Sequence, residues 1–462
     1  MPTAREIAFK ILSQWTNLSS PPFLPERGRG TDPHWEALSW RDRAVTFDLL
    51  SGIMRWRGTL EAVIGSQLKQ PVESLSPQVA ALLWLGTYQI LFHEGTADYA
   101  AVDTTVELAK RNRGAARAGG LINAVLRNIV RMEPRRKPRA ENEPPSRTAF
   151  AVDFETLVYF NSPVFPNPSS APDRHLAAAT SHPARYVTHL RKIFGDPLAG
   201  KILLRDNLRP AVTLRADADS LEVPAAADLA PHADAKRFLV AVGGWNAAIE
   251  ELVAGGALSP QDPTSAKPIR ALRHWTDQQT QSEPASILDL CAGLGTKAIQ
   301  AAREFPHATI TATDIAADKL ERLAARAKKI GANNIAALPM ENLTGQFDAV
   351  LVDVPCSNTG VFGRRVQARW RWPSLDPAAM RNLQLQLLSQ AAARLMPRGV
   401  ILYSTCSIDP AENEKLLYQF LQQAGAGFEI AQEEKTLPSL TSGPRSTRDG
   451  GYFAILRRTS AQ

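Results

Sequence analysis

Between residues 286 and 456, short apolar runs alternate with longer stretches of helical periodicity. The runs are Ser286–Leu290, Thr309–Thr313, Ile335–Leu338, Phe347–Val352, Gly399–Tyr403 and Gly451–Leu456. Helical segments lie between them, among them Ala317–Ile330, which Gly331 closes as a left-handed cap would. Strands separated by helices imply a largely parallel sheet covered on both faces, a doubly wound, Rossmann-like α/β domain.

The N-terminal third reads differently. Apolar residues recur at helical spacing in Ile7–Leu12, Val79–Leu91, Ala101–Ala109 and Leu121–Ile129, so residues 1–132 are expected to be all-α. Residues 20–33 form a Pro/Gly-rich loop, and residues 133–172 read as a linker and irregular stretch because EPRRKPRAENEPPSR is charged and proline-rich. A small α/β lead-in subdomain is expected over 173–270, and the Rossmann-like domain over 271–462. A chain of 462 residues accommodates these parts at about 100–200 residues per domain.

The uncharged run Val79–Phe92 falls short of the roughly 20 residues that span a bilayer. The N-terminal MPTAREIAFKILSQW is broken by charges at Arg5, Glu6 and Lys10, so a cytoplasmic protein is expected. Three cysteines (Cys291, Cys356, Cys406) are too few for a disulfide framework or a four-thiolate zinc site, and no metal is expected.

The formal net charge is +7, and residues 1–140 carry most of it, with 19 basic against 13 acidic side chains. Ten basic residues and one acid, Glu133, fall between Lys110 and Arg139. A concentrated basic surface fits a nucleic-acid partner, although a solvated face with no partner has the same composition.

Two features carry chemistry. The strand ending at Leu290 runs into Cys291-Ala292-Gly293-Leu294-Gly295-Thr296-Lys297 and then a helix, so backbone amides are open to a ligand. Asp314 closes the next strand, where a carboxylate takes ribose hydroxyls in doubly wound folds. An adenosine-type ligand follows, and the spacing leaves a dinucleotide and S-adenosylmethionine both open. The second feature is a pair of cysteines, Cys356 after Asp353-Val354-Pro355 and Cys406 after Tyr403-Ser404-Thr405, each past the C-terminal end of a parallel strand. A thiolate added to C6 of a pyrimidine turns the poorly nucleophilic C5 into an enamine carbon that can attack an electrophilic methyl. Asp353 is placed in the chain to hydrogen-bond the base edge. Lys297 is a candidate cation for lowering the thiol pKa.

The segments DLCAGLGTK (289–297), FDAVLVDVPCSNTGVF (347–362), RWRW (369–372), YSTCSIDPAENE (403–414), SPQDPTSAKPIRAL (259–272) and RDGGYFAILRR (448–458) together resemble the RNA cytosine-5 methyltransferases, most of all the RsmB (Sun/Fmu) type that acts on 16S rRNA. AVDTTVELAK (101–110) and INAVLRNIVR (122–131) resemble the NusB-like RNA-binding domain fused to that type. The resemblance implies an S-adenosylmethionine-dependent enzyme with rRNA as substrate and Cys406 as nucleophile. It also implies that Cys356 assists product release and that Asp353 faces the active centre. Cys291 to Lys297, Asp314, Glu341 and Asp353 would line the cofactor site.

The sequence departs from the family pattern at Leu294 and Thr296 in the cofactor turn, at Met340-Glu341 on the adenine side, and at Asn358, where glycine is common. The altered turn supports an alternative reading, a non-catalytic RNA-binding or ribosome-assembly factor on a methyltransferase scaffold; the retained cysteines oppose it. Arg369-Trp370-Arg371-Trp372, with Arg364-Arg365, is expected to contact RNA through phosphate attraction and base stacking, the alternative for each ring being a tryptophan packed beneath a loop.

Overall fold

The computed structural model describes residues 3–15, 35, 38–93, 97–140, 143–217, 221–279, 283–423 and 427–459, so the 20–33 loop lies outside the described residues. The chain divides into two compact units, residues 1–209 with 362–374 and residues 210–361 with 375–462.

Among the described residues, the first unit opens with the helices α1 (Ala4–Leu12), α2 (Trp40–Gly65), α3 (Pro77–Phe92), α4 (Asp98–Arg111) and α5 (Gly119–Arg131). Thr3 and Glu6 form a reciprocal capping box at the start of α1, and Ser39 and Ser76 cap α2 and α3. Helix α3 is apolar nearly all round and buried along its length, which accounts for the Val79–Phe92 run as a core helix. Among the described residues no helix is long and apolar enough to cross a membrane. Around α3, the Arg57 guanidinium lies 3.9 Å from the Trp15 ring centroid and 4.5 Å from that of Trp84, and pairs with Glu61 at 2.9 Å. Two ring faces and a carboxylate thus hold a cation inside an apolar core.

Residues 133–172 are not an unpacked linker. They contain β1 (Arg135–Pro138), β2 (Ala149–Ala151) and β3 (Thr156–Tyr159), an antiparallel sheet in the order β1-β3-β2. Phe150 is fully buried in an aromatic cluster with Trp56, Phe92, Phe160 and Phe165. The apolar alternation is only three or four residues long there, and the flanking charged, proline-rich sequence masks it. Helices α6 (Pro172–Thr180) and α7 (Ala184–Asn207) follow, α7 interrupted at Gly195, where φ is +71°. Both belong to the first unit, so the lead-in subdomain begins near residue 210 and not at 173.

The second unit starts with β4 (Val212–Ala216), β5 (Leu229–Pro231), β6 (Phe238–Ala241), α8 (Ala247–Ala254) and β7 (Leu258–Pro260), an antiparallel sheet ordered β5-β6-β4-β7 with α8 packed on its apolar core. After α9 (Pro263–Asp277) come β8 (Ser286–Asp289), α10 (Thr296–Glu304), β9 (Thr309–Ala312), α11 (Ala317–Lys329), β10 (Ile335–Ala337) and β11 (Phe347–Asp353). The short helix α12 (Val366–Arg371) lies in the segment assigned to the first unit; α13 (Pro377–Ala393), β12 (Leu395–Thr405), α14 (Glu414–Gln423), β13 (Phe428–Thr436) and β14 (Gly451–Arg458) complete the second. The large sheet runs β10-β9-β8-β11-β12-β14-β13, parallel from β10 to β12 and antiparallel at β14 and β13. The predicted strands stand within a few residues of their expected ends.

The RWRW segment corrects the expectation of RNA contact. Arg369 is fully buried and donates to the carbonyls of Arg55 (3.0 Å), Ser181 (3.1 Å) and Asp206 (2.6 Å) and to Asn207 Oδ1 (2.8 Å). Trp370 is buried with its indole N–H on the Met54 carbonyl at 2.7 Å, and Trp372 packs edge-on against Tyr186. These side chains are structural, while Arg364 and Arg365 are exposed. Nine of the ten basic residues from Lys110 to Arg139 are exposed, Arg139 being half-buried.

Candidate active site

The sheet places the candidate residues at the C-terminal ends of its central strands. Beyond β8 the turn bends through Gly293 (φ +55°) and Gly295 (φ +78°) into α10. A Cβ on Gly295 would lie 1.9 Å from Leu323 Cδ1, so both conformation and space demand glycine. A Cβ on Gly293 would meet nothing within 4 Å, and α10 has no side-chain cap at its N-terminus. Asp314 supports the turn, accepting the Gly293 N–H at 2.8 Å and the Ala316 N–H at 2.9 Å. Beneath the turn, Asp289 is buried, and neither of its oxygens accepts a hydrogen bond of normal geometry. Burial, reinforced by the Asp353 charge, pushes its carboxyl up to about 7. An open glycine cradle near a buried carboxyl that forms no hydrogen bond of normal geometry fits a cationic adenosine cofactor such as S-adenosylmethionine. Cys291 is half-buried, and burial next to these carboxylates pushes its thiol up to about 12, so it is inert. Glu341 is exposed on the turn Met340–Asn342 beyond β10.

The register between β11 and β12 pairs Asp353 with Ser404. Cys356 and Cys406 follow by three and two residues, and their sulfurs come within 2.9 Å. Cys356 is buried and Cys406 half-buried. The Cys406 sulfur, burial and the Glu412 charge hold the Cys356 thiol well above the usual range. Asp353 accepts from Lys297 Nζ at 2.7 Å and from Ser404 Oγ at 2.8 Å. The lysine is thus committed to Asp353 and not to a thiol. The side chain facing Cys406 is Asn358, whose Oδ1 lies 3.4 Å from the Cys406 sulfur and whose Nδ2 donates to the Cys356 carbonyl at 2.8 Å. Asn358 has φ +62°, a conformation that asparagine tolerates better than most residues and that explains glycine as its common counterpart.

The two cysteine loops are laced to the C-terminal strand. Gly360 N–H donates to the Cys406 carbonyl at 3.0 Å and Gly450 N–H to the Gly360 carbonyl at 2.7 Å, in a crossing too tight for any Cβ on Gly360. Asp262 and Thr264 hold Asp449 from the start of α9, at 3.1 and 2.8 Å. Sequence reasoning missed Asp289, Glu412, Gln384 and Asn358 as site residues. Asp289 had a signal, since it closes the first strand of the nucleotide-binding half, and Asn358 had one as a departure from the motif after Cys356; Glu412 and Gln384 had none that local pattern could supply. Among the described residues no group of three His, Cys, Asp or Glu side chains is placed to hold a metal ion.

Comparison with known proteins places this geometry. The model of the 16S rRNA methyltransferase RsmB/F family matches residues 278–443, and that of the NusB family matches residues 2–131. Putative methyltransferase Rv1407 of Mycobacterium tuberculosis (strain ATCC 25618 / H37Rv) is 33% identical over 441 residues, covering 88% of this chain and 84% of the relative. The chain belongs to the RsmB/F methyltransferase family. It is an S-adenosylmethionine-dependent RNA methyltransferase with a helical NusB domain ahead of a Rossmann-like catalytic domain. The probable ribosomal RNA small subunit methyltransferase B of Bacillus subtilis (strain 168) is 27% identical over 416 residues, covering 87% of this chain and 85% of that protein. The crystal structure of PH0851 shares the fold, with a TM-score of 0.65 and 20% identity over 91% of each chain.

Asp289 is expected to make cofactor binding pH-dependent. Its raised pKa means that the folded chain holds a proton which the unfolded chain releases near pH 4, so the cofactor-free fold loses stability as pH rises from about 4 to about 7. A cationic cofactor favours the ionised carboxylate. With half-ionisation near pH 7, affinity for S-adenosylmethionine is expected to rise about tenfold from pH 6 to pH 8. Calorimetric titration across that range checks this. Asp289→Asn is expected to flatten the profile, and an equally steep profile in that variant would remove Asp289 from the account.

Proposed function

We propose that this chain methylates C5 of a cytidine in small-subunit rRNA, in the cytoplasm, with Cys406 as the nucleophile. The observation that carries the reading is the pair of thiols 2.9 Å apart beside Asp353. Either sulfur can donate in that contact, while burial and the neighbouring sulfur favour the protonated form of Cys356, so Cys406 is the thiol left to add to the base.

Cys406 Sγ adds to C6 of the base and the ring electrons move to C5. Asp353, fixed by Lys297 and Ser404, receives the base edge and supports this polarisation. The bound cofactor supplies the electrophilic methyl that C5 takes. The C5 proton then passes to water, the C5–H electrons restore the C5–C6 double bond, and the C6–S bond pair returns to Cys406. Cys356, adjacent to the sulfur that must depart, assists this release. Gly293 to Lys297 and Asp314 hold the cofactor, with Glu341 toward the adenine. The target base must be unstacked, because its C5 and C6 faces are covered in a helix. The exposed basic stretch Lys110–Arg139 supplies sequence-tolerant phosphate attraction.

Methyl transfer from labelled S-adenosylmethionine to unmodified small-subunit rRNA, followed by mapping of 5-methylcytidine, tests the reading. A single labelled cytidine is expected. Tight RNA binding with no label on rRNA or tRNA would favour the non-catalytic assembly factor instead.

A further inference from the structure

Glu412 lies six residues beyond Cys406 and is buried, 5% exposed. Its carboxylate accepts four hydrogen bonds. Ser357 donates both its backbone N–H, at 2.8 Å, and its hydroxyl; Ser407 Oγ donates at 2.8 Å; Gln384 Nε2 donates at 3.1 Å. Ser357 and Ser407 are the residues directly after Cys356 and Cys406. One carboxylate therefore ties together the two loops that carry the thiols, while Gln384 also holds the Pro355 carbonyl at 2.9 Å. Helix α14 follows immediately, and the Tyr403 hydroxyl on β12 donates to the Glu412 carbonyl at 2.6 Å, so the tie is anchored at both ends.

We propose that Glu412 is a positioning residue that sets the distance between Cys356 and Cys406, and with it the balance between forming and releasing the RNA adduct. It touches neither base nor cofactor and acts only through Ser357 and Ser407. The inference rests on the two-thiol reading above for its consequence in the reaction, but not for its geometry. A carboxylate is the group these donors require. Oε2 takes the Ser357 and Gln384 N–H groups and Oε1 the two serine hydroxyls. In Glu412→Gln only one of these pairs keeps an oxygen, while the N–H₂ faces the other, which leaves the two N–H donors without an acceptor or forces both hydroxyls to turn and accept. Buried donors without acceptors are costly, so the two loops separate.

The test uses the full chain and the variant Glu412→Gln. Dibromobimane, which becomes fluorescent on bridging two thiols, reads the Cys356–Cys406 distance without RNA or cofactor. Bridging is expected to slow about tenfold or more, as loss of one buried hydrogen bond would give. Alkylation by the monofunctional N-ethylmaleimide is expected to change little. In single turnover with rRNA, the ratio of covalent adduct to methylated product is expected to rise, whereas simple loss of folded protein would lower both together. Bridging at the wild-type rate in a folded variant, or slowed bridging with an unchanged adduct-to-product ratio, overturns the proposal. Should Glu412→Gln fail to fold, Ser407→Ala removes one arm of the tie and is expected to slow bridging in the same direction; no change there overturns it equally. A wild-type chain whose thiols bridge rapidly but which methylates no RNA would refute the proposed function and leave the positioning role standing.

Discussion

Cys406→Ala is expected to abolish methyl transfer while leaving the protein folded. Its sulfur contacts Cys356 and the Asn358 amide, and its half-buried position opens little new cavity when truncated. Loss of a covalent nucleophile removes a path and not merely an interaction, so turnover should fall by at least about 10³-fold. The melting temperature should shift by no more than a degree or two, as expected for a change of roughly 0.5 kcal/mol. Cys356→Ala is expected to differ in kind: labelled RNA should remain attached to protein through denaturing electrophoresis. Cys406→Ala with appreciable methyl transfer would place the nucleophile elsewhere, and Cys356→Ala with rapid release would remove Cys356 from the final step.

Arg369→Ala is expected to have the largest effect on stability. Burial lowers the Arg369 guanidinium to about 10, yet it remains charged at neutral pH, with its four acceptors on the α2 backbone, the Ser181 turn and the end of α7. Its removal takes a charged donor from three carbonyls and an amide oxygen in the interior, the Asp206 carbonyl keeping only the Arg55 guanidinium at 3.2 Å, at a cost of about 3–5 kcal/mol. Arg369→Lys should recover only part of this, because an ammonium cannot reach four acceptors arranged for a planar fork. Denaturant unfolding followed by tryptophan fluorescence measures the difference, and an RNA-binding assay separates it from substrate contact. A variant with native stability and weakened RNA binding would restore the RNA-contact reading of RWRW.

The contrast between these residues shows what kind of information the chain carries locally. Apolar runs from Ser286 to Leu456 marked the strands because period and length are properties of a few consecutive residues. Gly293 and Gly295 marked a turn for the same reason, their positive φ values being a backbone preference. Cys356 and Cys406 could be placed at strand ends because each directly follows its own strand. The small sheet β1-β3-β2 escaped notice, its strands being too short and too flanked by charge for periodicity to register. RWRW has the composition of an RNA-contact surface, and nothing within four residues distinguishes an exposed arginine from one satisfied by carbonyls from three distant segments.

Tertiary structure decided the rest, through register and burial. Pairing of Asp353 with Ser404 across β11 and β12 brings two sulfurs fifty residues apart to 2.9 Å, and a shift of one residue would turn these side chains to the opposite face of the sheet. Lys297 could be suspected of serving a thiol until the fold gave it Asp353. Glu412 reads as one acid in an acidic run, and only its burial against Ser357, Ser407 and Gln384 makes it a tie. Local sequence determined which elements form and which reactive groups stand at their ends, because backbone preference and hydrophobic period act over a few residues. Which group serves which partner was decided by packing, because hydrogen-bond satisfaction and desolvation depend on atoms that meet only once the chain has folded.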